Sequence, residues 1–185
     1  RTDFNNNGTN YGTSFTENRF GEINQASSFN GRGNYVQASQ EPRILIGEPF
    51  TFTAWAKSSG AQGSHAKIIA NYARANIHLS VDNRFRFVVY TTSYRTISSP
   101  VVNHNQWYYI AGVYDGEDML LYVNDELVSS NTVGASGRNF AANLGIGRDY
   151  SDWTGYFYGS ISDVRIYNRA LSEDEVKHNY NVDIR

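Results

Sequence analysis

Arginine and tyrosine recur together in this sequence, and the pair is suited to holding a negatively charged ligand that has ring faces. The 185 residues include 14 tyrosines, and most of the 16 Lys and Arg residues are arginine. A guanidinium group binds carboxylate or sulfate through two parallel hydrogen bonds and also lies flat on aromatic rings, which an ammonium group does not do. Tyrosine and tryptophan supply apolar ring faces with a polar tip. The composition therefore favours recognition of an anionic ligand with stackable rings.

The first candidate surface is a hairpin over residues 76–90. Apolar side chains alternate with polar ones on either side of Asp82 and Asn83, which predicts two antiparallel strands and a tight turn. One interpretation of the polar face is an ordinary solvated surface. The other is a binding groove on a curved sheet, completed by Tyr108, Tyr114 and Tyr122 on neighbouring strands. The polar face consists of His78, Ser80, Arg84, Arg86 and Tyr90.

Two further groups repeat the same chemistry near strand ends. One group is a pair of Tyr-Arg combinations, and the other is a polar loop that contains a tryptophan. An exposed indole is costly without a purpose, so Trp153 is either a stacking platform or a lid folded over the edge of the domain. The candidate residues are Tyr72, Arg74, Tyr94 and Arg95 in the first group, and Arg148, Tyr150, Trp153 and Tyr156 in the second.

The elements that must position these residues are almost all strands. Short segments with a period of two follow one another from residue 50 onward, each bounded by Gly, Asn, Asp or Ser, whereas residues 1–34 show only turns and short edge segments. Ser172 with Glu175 forms a capping box, which predicts one short helix over Ser172–Asn179. The pattern predicts an all-β fold, a two-sheet antiparallel β-sandwich with one short C-terminal helix, in which residues 1–185 form a single domain.

Composition excludes several function classes. The formal net charge of -2 gives no basic field for nucleic acid, and no apolar run is long enough for a membrane span. The absence of cysteine excludes disulfides, thiolate metal sites and a cysteine nucleophile. We therefore expect neither a nucleic-acid partner nor a membrane span.

Several segments resemble the laminin-G-like, concanavalin A-like jelly-roll superfamily found in bacterial secreted and surface proteins. They are RFGEINQASSFNGRGNYVQAS, FTFTAWAKS, NQWYYIAGVYDGEDMLLYVNDELV, LGIGRD and GSISDVRIYNRALSEDEV. The resemblance covers nearly the whole chain, and its closing DVRIYNRALS is the most specific part. It implies two curved sheets packed face to face, structural roles for Trp55 and Trp107 in or near the core, and a binding role that the fold alone does not define.

The resemblance also implies a structural Ca²⁺ ion, because relatives often carry one. Ca²⁺ prefers six to eight oxygens from carboxylates, amides and carbonyls. The matching positions contain few carboxylates, which would weaken the site. Alternatively, Asp163 bonds to backbone and the asparagines only form turns. The candidate ligands are Asp3, Asn7, Asn34 and Asp163.

Enzymes share this fold class, but the sequence lacks their signatures. Retaining glycosidases need two carboxyl groups close together, and the Glu-x-Asp-x-Glu pattern of laminarinase-like enzymes is absent. The cluster Glu173-Asp174-Glu175 falls in the first helical turn, where acidic residues suit the helix dipole. We therefore predict no catalytic residues.

The sequence predicts a non-catalytic carbohydrate-binding module for a polysaccharide, with an acidic or sulfated, marine-type glycan as its target. The resemblance places it as a monomeric part of a secreted or cell-surface bacterial protein, linked to a catalytic domain. The alternatives are a protein-binding adhesion module and, less favoured, a polysaccharide lyase or glycoside hydrolase. Scattered Tyr and Arg leave lyase chemistry open.

Overall fold

The computed structural model describes residues 8–38, 48–71, 75–135, 144–149 and 155–184. These residues form strands and one helix. In chain order they are β1 (Thr9–Tyr11), β2 (Ser14–Thr16), β3 (Ala26–Asn30), β4 (Tyr35–Ala38), β5 (Phe50–Ser58), β6 (Ala66–Asn71), β7 (Ala75–Leu79), β8 (Arg84–Tyr90), β9 (Tyr94–Val101), β10 (Trp107–Tyr114), β11 (Asp118–Val123), β12 (Glu126–Thr132), β13 (Leu144–Ile146), β14 (Tyr158–Tyr167) and α1 (Glu173–Asp183).

The strands form two antiparallel sheets of seven strands each, as predicted for a β-sandwich. Sheet A has the order β1-β4-β13-β6-β7-β8-β9, and sheet B has the order β12-β11-β10-β5-β14-β3-β2. The inner faces of the two sheets share one hydrophobic core, which includes Phe29, Phe52, Phe87 and Ile110. Because successive side chains on a strand point to opposite faces, each sheet also presents an outer face.

Helix α1 covers part of the outer face of sheet B. A second cluster joins Trp55, Tyr109 and Tyr122 of the sheet to Leu171 and Val176 of the helix region. Trp55 is buried there and its ring stacks on Tyr180, with ring centroids 5.7 Å apart. Trp107 packs against the edge of the same cluster. The described part of the chain has no helix of the length and apolarity that a membrane span needs.

The hairpin and the helix cap are confirmed. β7 and β8 pair through a turn at which Asn83 has a φ of 56°, a left-handed value that asparagine tolerates. Ser172 and Glu175 form both bonds of the capping box. The helix continues to Asp183, four residues past its predicted end at Asn179, because Tyr180 and Asp183 make contacts with sheet B that the local sequence does not reveal.

Two sequence predictions were wrong. Residues 1–34 do not contain only turns and edge strands: β1 and β2 are edges, but β3 lies between β2 and β14 inside sheet B. Tyr108, Tyr114 and Tyr122 do not complete a groove beside the hairpin, because their strands belong to sheet B whereas the hairpin belongs to sheet A. Tyr108 and Tyr114 lie in the shared core, and Tyr122 lies in the cluster under α1.

Candidate functional site

The outer face of sheet A brings together several of the predicted residues. His78 on β7 lies directly opposite Arg86 on β8, and Tyr90 lies opposite Tyr94 on β9. Their chain neighbours Ile77, Phe85, Phe87 and Val89 are core residues, so these side chains start on the outer face. The hairpin therefore has the polar outer face that its alternation predicts.

The arginines of this face are not isolated cations. The Arg86 guanidinium nitrogen Nη2 lies 2.9 Å from Asp82 Oδ2, and Arg84 Nε lies 3.8 Å from the same oxygen. Arg84 also donates to the Ser99 carbonyl at 2.8 Å. The Ser80 hydroxyl donates to Asp82 and, with Arg86, lowers the pKa of this carboxyl. The turn acid therefore balances part of the positive charge that the strand pattern suggested.

Tyr90 and Tyr94 form an aromatic pair on this face. Their rings meet edge to face with centroids 5.0 Å apart, and Tyr94 is 58% exposed. Arg95 does not join them: it lies opposite Val89, a core residue, and so starts on the other side of β9, where it is exposed at the end of the strand. The Tyr94-Arg95 pair is thus adjacent in sequence but divided between two faces.

Arg148 lies within a stack of tyrosine rings that the sequence did not reveal. Its guanidinium carbon is 4.3 Å from the ring centroid of Tyr35 and 5.6 Å from that of Tyr156, whose hydroxyl accepts from Arg148 Nη1 at 3.3 Å. Tyr11 stacks on Tyr35 at 4.4 Å with planes 9° apart. The pairing of Tyr11 with Tyr35, and of Gln37 with Gly145, places this stack on β1 and β4 beside β13.

Local sequence patterns do not identify Tyr11 and Tyr35 as site residues. Both belong to short strands without a clear hydrophobic alternation, one of them inside an Asn- and Gly-rich segment. The repeated Tyr-Arg pairs predicted Arg148 and Tyr156 as site residues. The neighbouring sequence did not indicate which tyrosine rings would contact them.

We expect Gly145→Ala to disturb the Arg148 stack. A Cβ at Gly145 would collide with the backbone carbonyl of Arg148, which cannot rotate away as a flexible side chain would. Overpacking of this kind costs about 1–3 kcal/mol. Urea unfolding should show that loss, whereas Ser98→Ala on the same sheet face should stay within about 0.5 kcal/mol. Equal stability of the two variants would show that the Arg148 turn adapts freely.

His78 is the buried centre of this face. It is 3% exposed, and its Nδ1 lies 2.7 Å from Asn76 Oδ1, so that nitrogen carries the proton and donates to the amide oxygen. The other ring nitrogen, Nε2, is buried and has no hydrogen-bond partner among the described residues, and the His65 ring packs edge-on at 5.0 Å. Burial first, then the charges of Lys67, His65 and Arg86, lowers the pKa of His78 to about 2.

The proposed Ca²⁺ ligands make other contacts where they are described. Asn34 donates to the Gly12 carbonyl at 2.6 Å and accepts from the Asn30 amide at 3.2 Å, and Asp163 pairs with Arg19 at 2.6 Å. Asp3 and Asn7 lie outside the described residues. Within the described ranges, no cluster of three or more His, Asp or Glu side chains is arranged for a metal. The Ca²⁺ site stays a prediction that rests on the resemblance.

Four predicted ligand-binding residues lie outside the described residues. They are Tyr72, Arg74, Tyr150 and Trp153. Their proposed roles stay predictions.

The model of one protein family matches residues 30–177, which is most of the chain. That family is described as the concanavalin A-like lectin/glucanase superfamily. The chain belongs to this superfamily. Its two seven-stranded sheets are the architecture that the superfamily resemblance implied. No curated protein sequence matches the chain.

Solved structures with the same fold include the binding domains of a mosquitocidal protein and a neurotoxin, and one domain of an arabinanase. The binding domain of Paraclostridial Mosquitocidal Protein 1 is 15% identical with a TM-score of 0.78, over 98% of this superfamily member and 48% of that chain. Domain 4 of AbnA, an extracellular arabinanase from Geobacillus stearothermophilus, was solved in complex with arabinotriose. It is 17% identical with a TM-score of 0.69, and the match covers 90% of this chain and 80% of that one.

The binding domain of the botulinum neurotoxin C/D mosaic serotype is 15% identical with a TM-score of 0.78, over 98% of this chain and 48% of that one. The chain thus spans about half the length of the toxin structures that it matches. At these identities the likeness shows the fold.

Proposed function

We propose that this chain is a non-catalytic carbohydrate-binding module that binds a polysaccharide on the outer face of sheet A. The observation that carries the proposal is the set of rings and guanidinium groups on that face. The stack of Tyr11, Tyr35, Arg148 and Tyr156 lies toward one edge of the sheet, and Tyr90 with Tyr94 lies toward the other. A long polymer that crosses the strands would meet aromatic surface at both ends.

Two structural relatives support a glycan ligand. The arabinanase domain was solved with bound arabinotriose, and the structure of botulinum neurotoxin type C concerns interaction with two ganglioside molecules. These statements belong to those proteins. What this chain shares with them is the fold, and what it adds is its own ring and guanidinium array.

The guanidinium groups of the face are the reason to propose an acidic or sulfated glycan as the ligand. Arg86 contacts Asp82 at a side-chain exposure of 31%, so a ligand carboxylate or sulfate can reach it and share its hydrogen bonds. A shallow, water-exposed site of this kind buries little apolar surface, so we expect affinity of about micromolar strength or weaker. Attachment to a catalytic domain in a secreted or surface protein would then raise the local substrate concentration.

The decisive experiment is affinity electrophoresis through gels that contain agar, carrageenan, alginate, ulvan or a neutral glucan. Retardation by an anionic polymer is the expected result, and passage through every gel at the control rate would end the proposal. Retardation by the neutral glucan alone would remove only the anionic part. A separate measurement tests the Ca²⁺ prediction: the melting temperature is compared with and without EDTA. Loss of a structural ion should lower it.

Within that assay, we expect Tyr94→Ala to weaken binding about tenfold and Arg86→Gln to weaken it only for anionic polymers. Removing the Tyr94 ring removes stacking area that is 58% exposed, and a tenfold change corresponds to ~1.4 kcal/mol. Arg169→Gln is the matched control, because Arg169 is also a surface arginine paired with one carboxylate, Glu175, but lies at helix α1. If Arg169→Gln weakens binding as much as Arg86→Gln, the effect is general charge and the site assignment fails.

A protein-binding adhesion module is the second candidate function. Exposed apolar side chains lie on the segment before β3 and at the end of α1, two segments that meet where Arg19 donates to the Asp183 carbonyl at 2.7 Å. Phe20, Val182 and Ile184 are 46%, 51% and 45% exposed in this area. Retention of a protein partner with no binding to any glycan would favour this function.

A lyase or hydrolase is the least favoured alternative. Several described carboxylates are held in ion pairs: Asp82 with Arg86, Asp163 with Arg19, Glu175 with Arg169, and Asp183 with Arg165. New reducing or unsaturated sugar ends after prolonged incubation with the same polymers would establish an enzyme.

A further inference from the structure

A second aromatic surface lies on the outer face of sheet B, beside the area that α1 covers. Strand register places one row of side chains straight across four strands, from Ser28 through Ser160 and Lys57 to Trp107. Their chain neighbours Phe29, Ile161, Ala56 and Tyr108 belong to the core, so the row starts on the outer face. Tyr158 lies on the same face, two residues before Ser160.

Tyr158, beside this row, has an exposed ring on an anchored backbone. Tyr158 is 43% exposed, yet its backbone amide donates to Gln62 Oε1 at 2.9 Å and its carbonyl accepts from Gln62 Nε2 at 2.9 Å. The Ser59 amide donates to the same carbonyl at 3.2 Å. The ring lies against Gly60, where a Cβ would come within 3.4 Å of Cε1. A tyrosine with an anchored backbone and one side of its ring against Gly60 loses less conformational freedom when a ligand stacks on it.

The lysine of this row differs from the arginines of sheet A. The Lys57 ammonium lies 5.3 Å from the centroid of the Trp107 ring, and no carboxylate pairs with it among the described residues. A cation beside an indole, without an acidic partner, is available to a carboxylate or sulfate on a ligand.

The spacing of these groups suits a polymer. Neighbouring strands are about 4.8 Å apart and residues two apart on a strand about 7 Å, so Trp107 and Tyr158 lie roughly 12 Å from each other. Several linked sugar rings span such a distance, stacking on both ends with the Lys57 ammonium between them. We propose that Tyr158, Lys57 and Trp107 form a second site for an acidic sugar chain, here named the sheet B strip.

This inference rests on the proposed function, because it takes the ligand to be an anionic polysaccharide. It adds a second site on the opposite face, which lets one module bind two segments of polymer and gain avidity from the second contact. That gain needs no contact between the two sites.

The test is affinity electrophoresis in alginate and carrageenan gels with Tyr158→Ala, Lys57→Gln and Lys57→Arg. The first two variants should weaken retardation about three- to tenfold, and Lys57→Arg should restore it. Lys177→Gln is the matched charge control, because it removes one lysine that pairs with Glu173 within α1. All variants should keep the wild-type melting temperature, since the altered side chains are at the surface.

Intrinsic fluorescence gives an independent measurement. Addition of alginate oligosaccharides should change the tryptophan emission of the wild type. Trp107→Phe should remove most of that change, although it keeps an aromatic ring at this position. If the wild type is retarded, and Tyr158→Ala and Lys57→Gln are each retarded as strongly as the wild type, the sheet B strip does not bind the polymer. The proposed function then still stands. If Lys177→Gln weakens retardation as much as Lys57→Gln, the strip likewise fails. If no gel retards the wild type, the proposed function itself fails.

Discussion

Replacing Asp183 with alanine should lower the free energy of unfolding by about 3 kcal/mol, because it leaves the buried Trp55 indole and the half-buried Arg165 guanidinium without their acceptor. Arg165 donates to both Asp183 carboxylate oxygens, at 2.7 and 2.8 Å, and the Trp55 indole donates to Oδ2 at 3.2 Å. Asp183 is 7% exposed and is the last residue of α1. One carboxylate thus connects the helix end to the outer face of sheet B.

Urea unfolding at neutral pH measures the effect. Asp183→Asn keeps the shape and removes the charge, so its loss should be smaller than that of alanine. His178→Ala, an exposed change on the same helix, should remain within about 0.5 kcal/mol. A loss below that level for Asp183→Ala would mean that this carboxylate adds little to the docking of α1 on sheet B. Because the residues proposed to bind sugar do not include Asp183, glycan retardation of folded Asp183→Asn should be unchanged.

The second large effect is a loss of stability in acid caused by His78. Burial lowers the pKa of His78 from 6.5 to about 2, so the folded protein keeps this imidazole neutral. In the unfolded chain the same group takes up a proton below pH 6.5. The stability that His78 contributes is therefore complete above that pH and declines as the pH falls toward about 2. At about pH 5 the loss amounts to about 2 kcal/mol.

Urea unfolding at neutral pH and at about pH 5 checks this expectation with His78→Gln and His104→Gln. His78→Gln removes the titrating group and should flatten the decline, while His104→Gln, at a partly exposed histidine, should keep the wild-type slope. Since Asp82 and Glu175 also have lowered pKa values, part of the acid sensitivity should remain in every variant. Identical slopes for the wild type and His78→Gln would contradict the burial of this imidazole as a neutral group.

The polar face of the hairpin shows how far the sequence leads at the candidate site. Alternation placed His78, Arg86 and Tyr90 on one face, because a strand has a fixed period of two. It did not reveal that Asp82 pairs with Arg86, since that contact depends on the shape of the turn. It also did not reveal that His78 would be buried, since burial depends on segments that are distant in sequence.

The Tyr11 and Tyr35 pair marks the opposite limit. Their strands are three and four residues long, too short for a periodic signal, and they pair only because the two chain segments meet in sheet A. Similarly, Trp107, Lys57 and Ser160 are 50 or more residues apart from one neighbour to the next, and register alone aligns them. Long-range pairing carries no local pattern.

By itself the sequence determined the β-sandwich, the superfamily, the hairpin and the capped helix, because alternation, turn residues and caps act over a few neighbouring residues. It also indicated Tyr-Arg chemistry as the basis of binding. Only the tertiary structure decided the division of the strands between two sheets, which moved Tyr108, Tyr114 and Tyr122 away from the hairpin and placed rings from β1, β4 and β10 on outer faces. The physical reason is that sheet order is set by burying the most apolar faces of all strands together, a property of the whole chain.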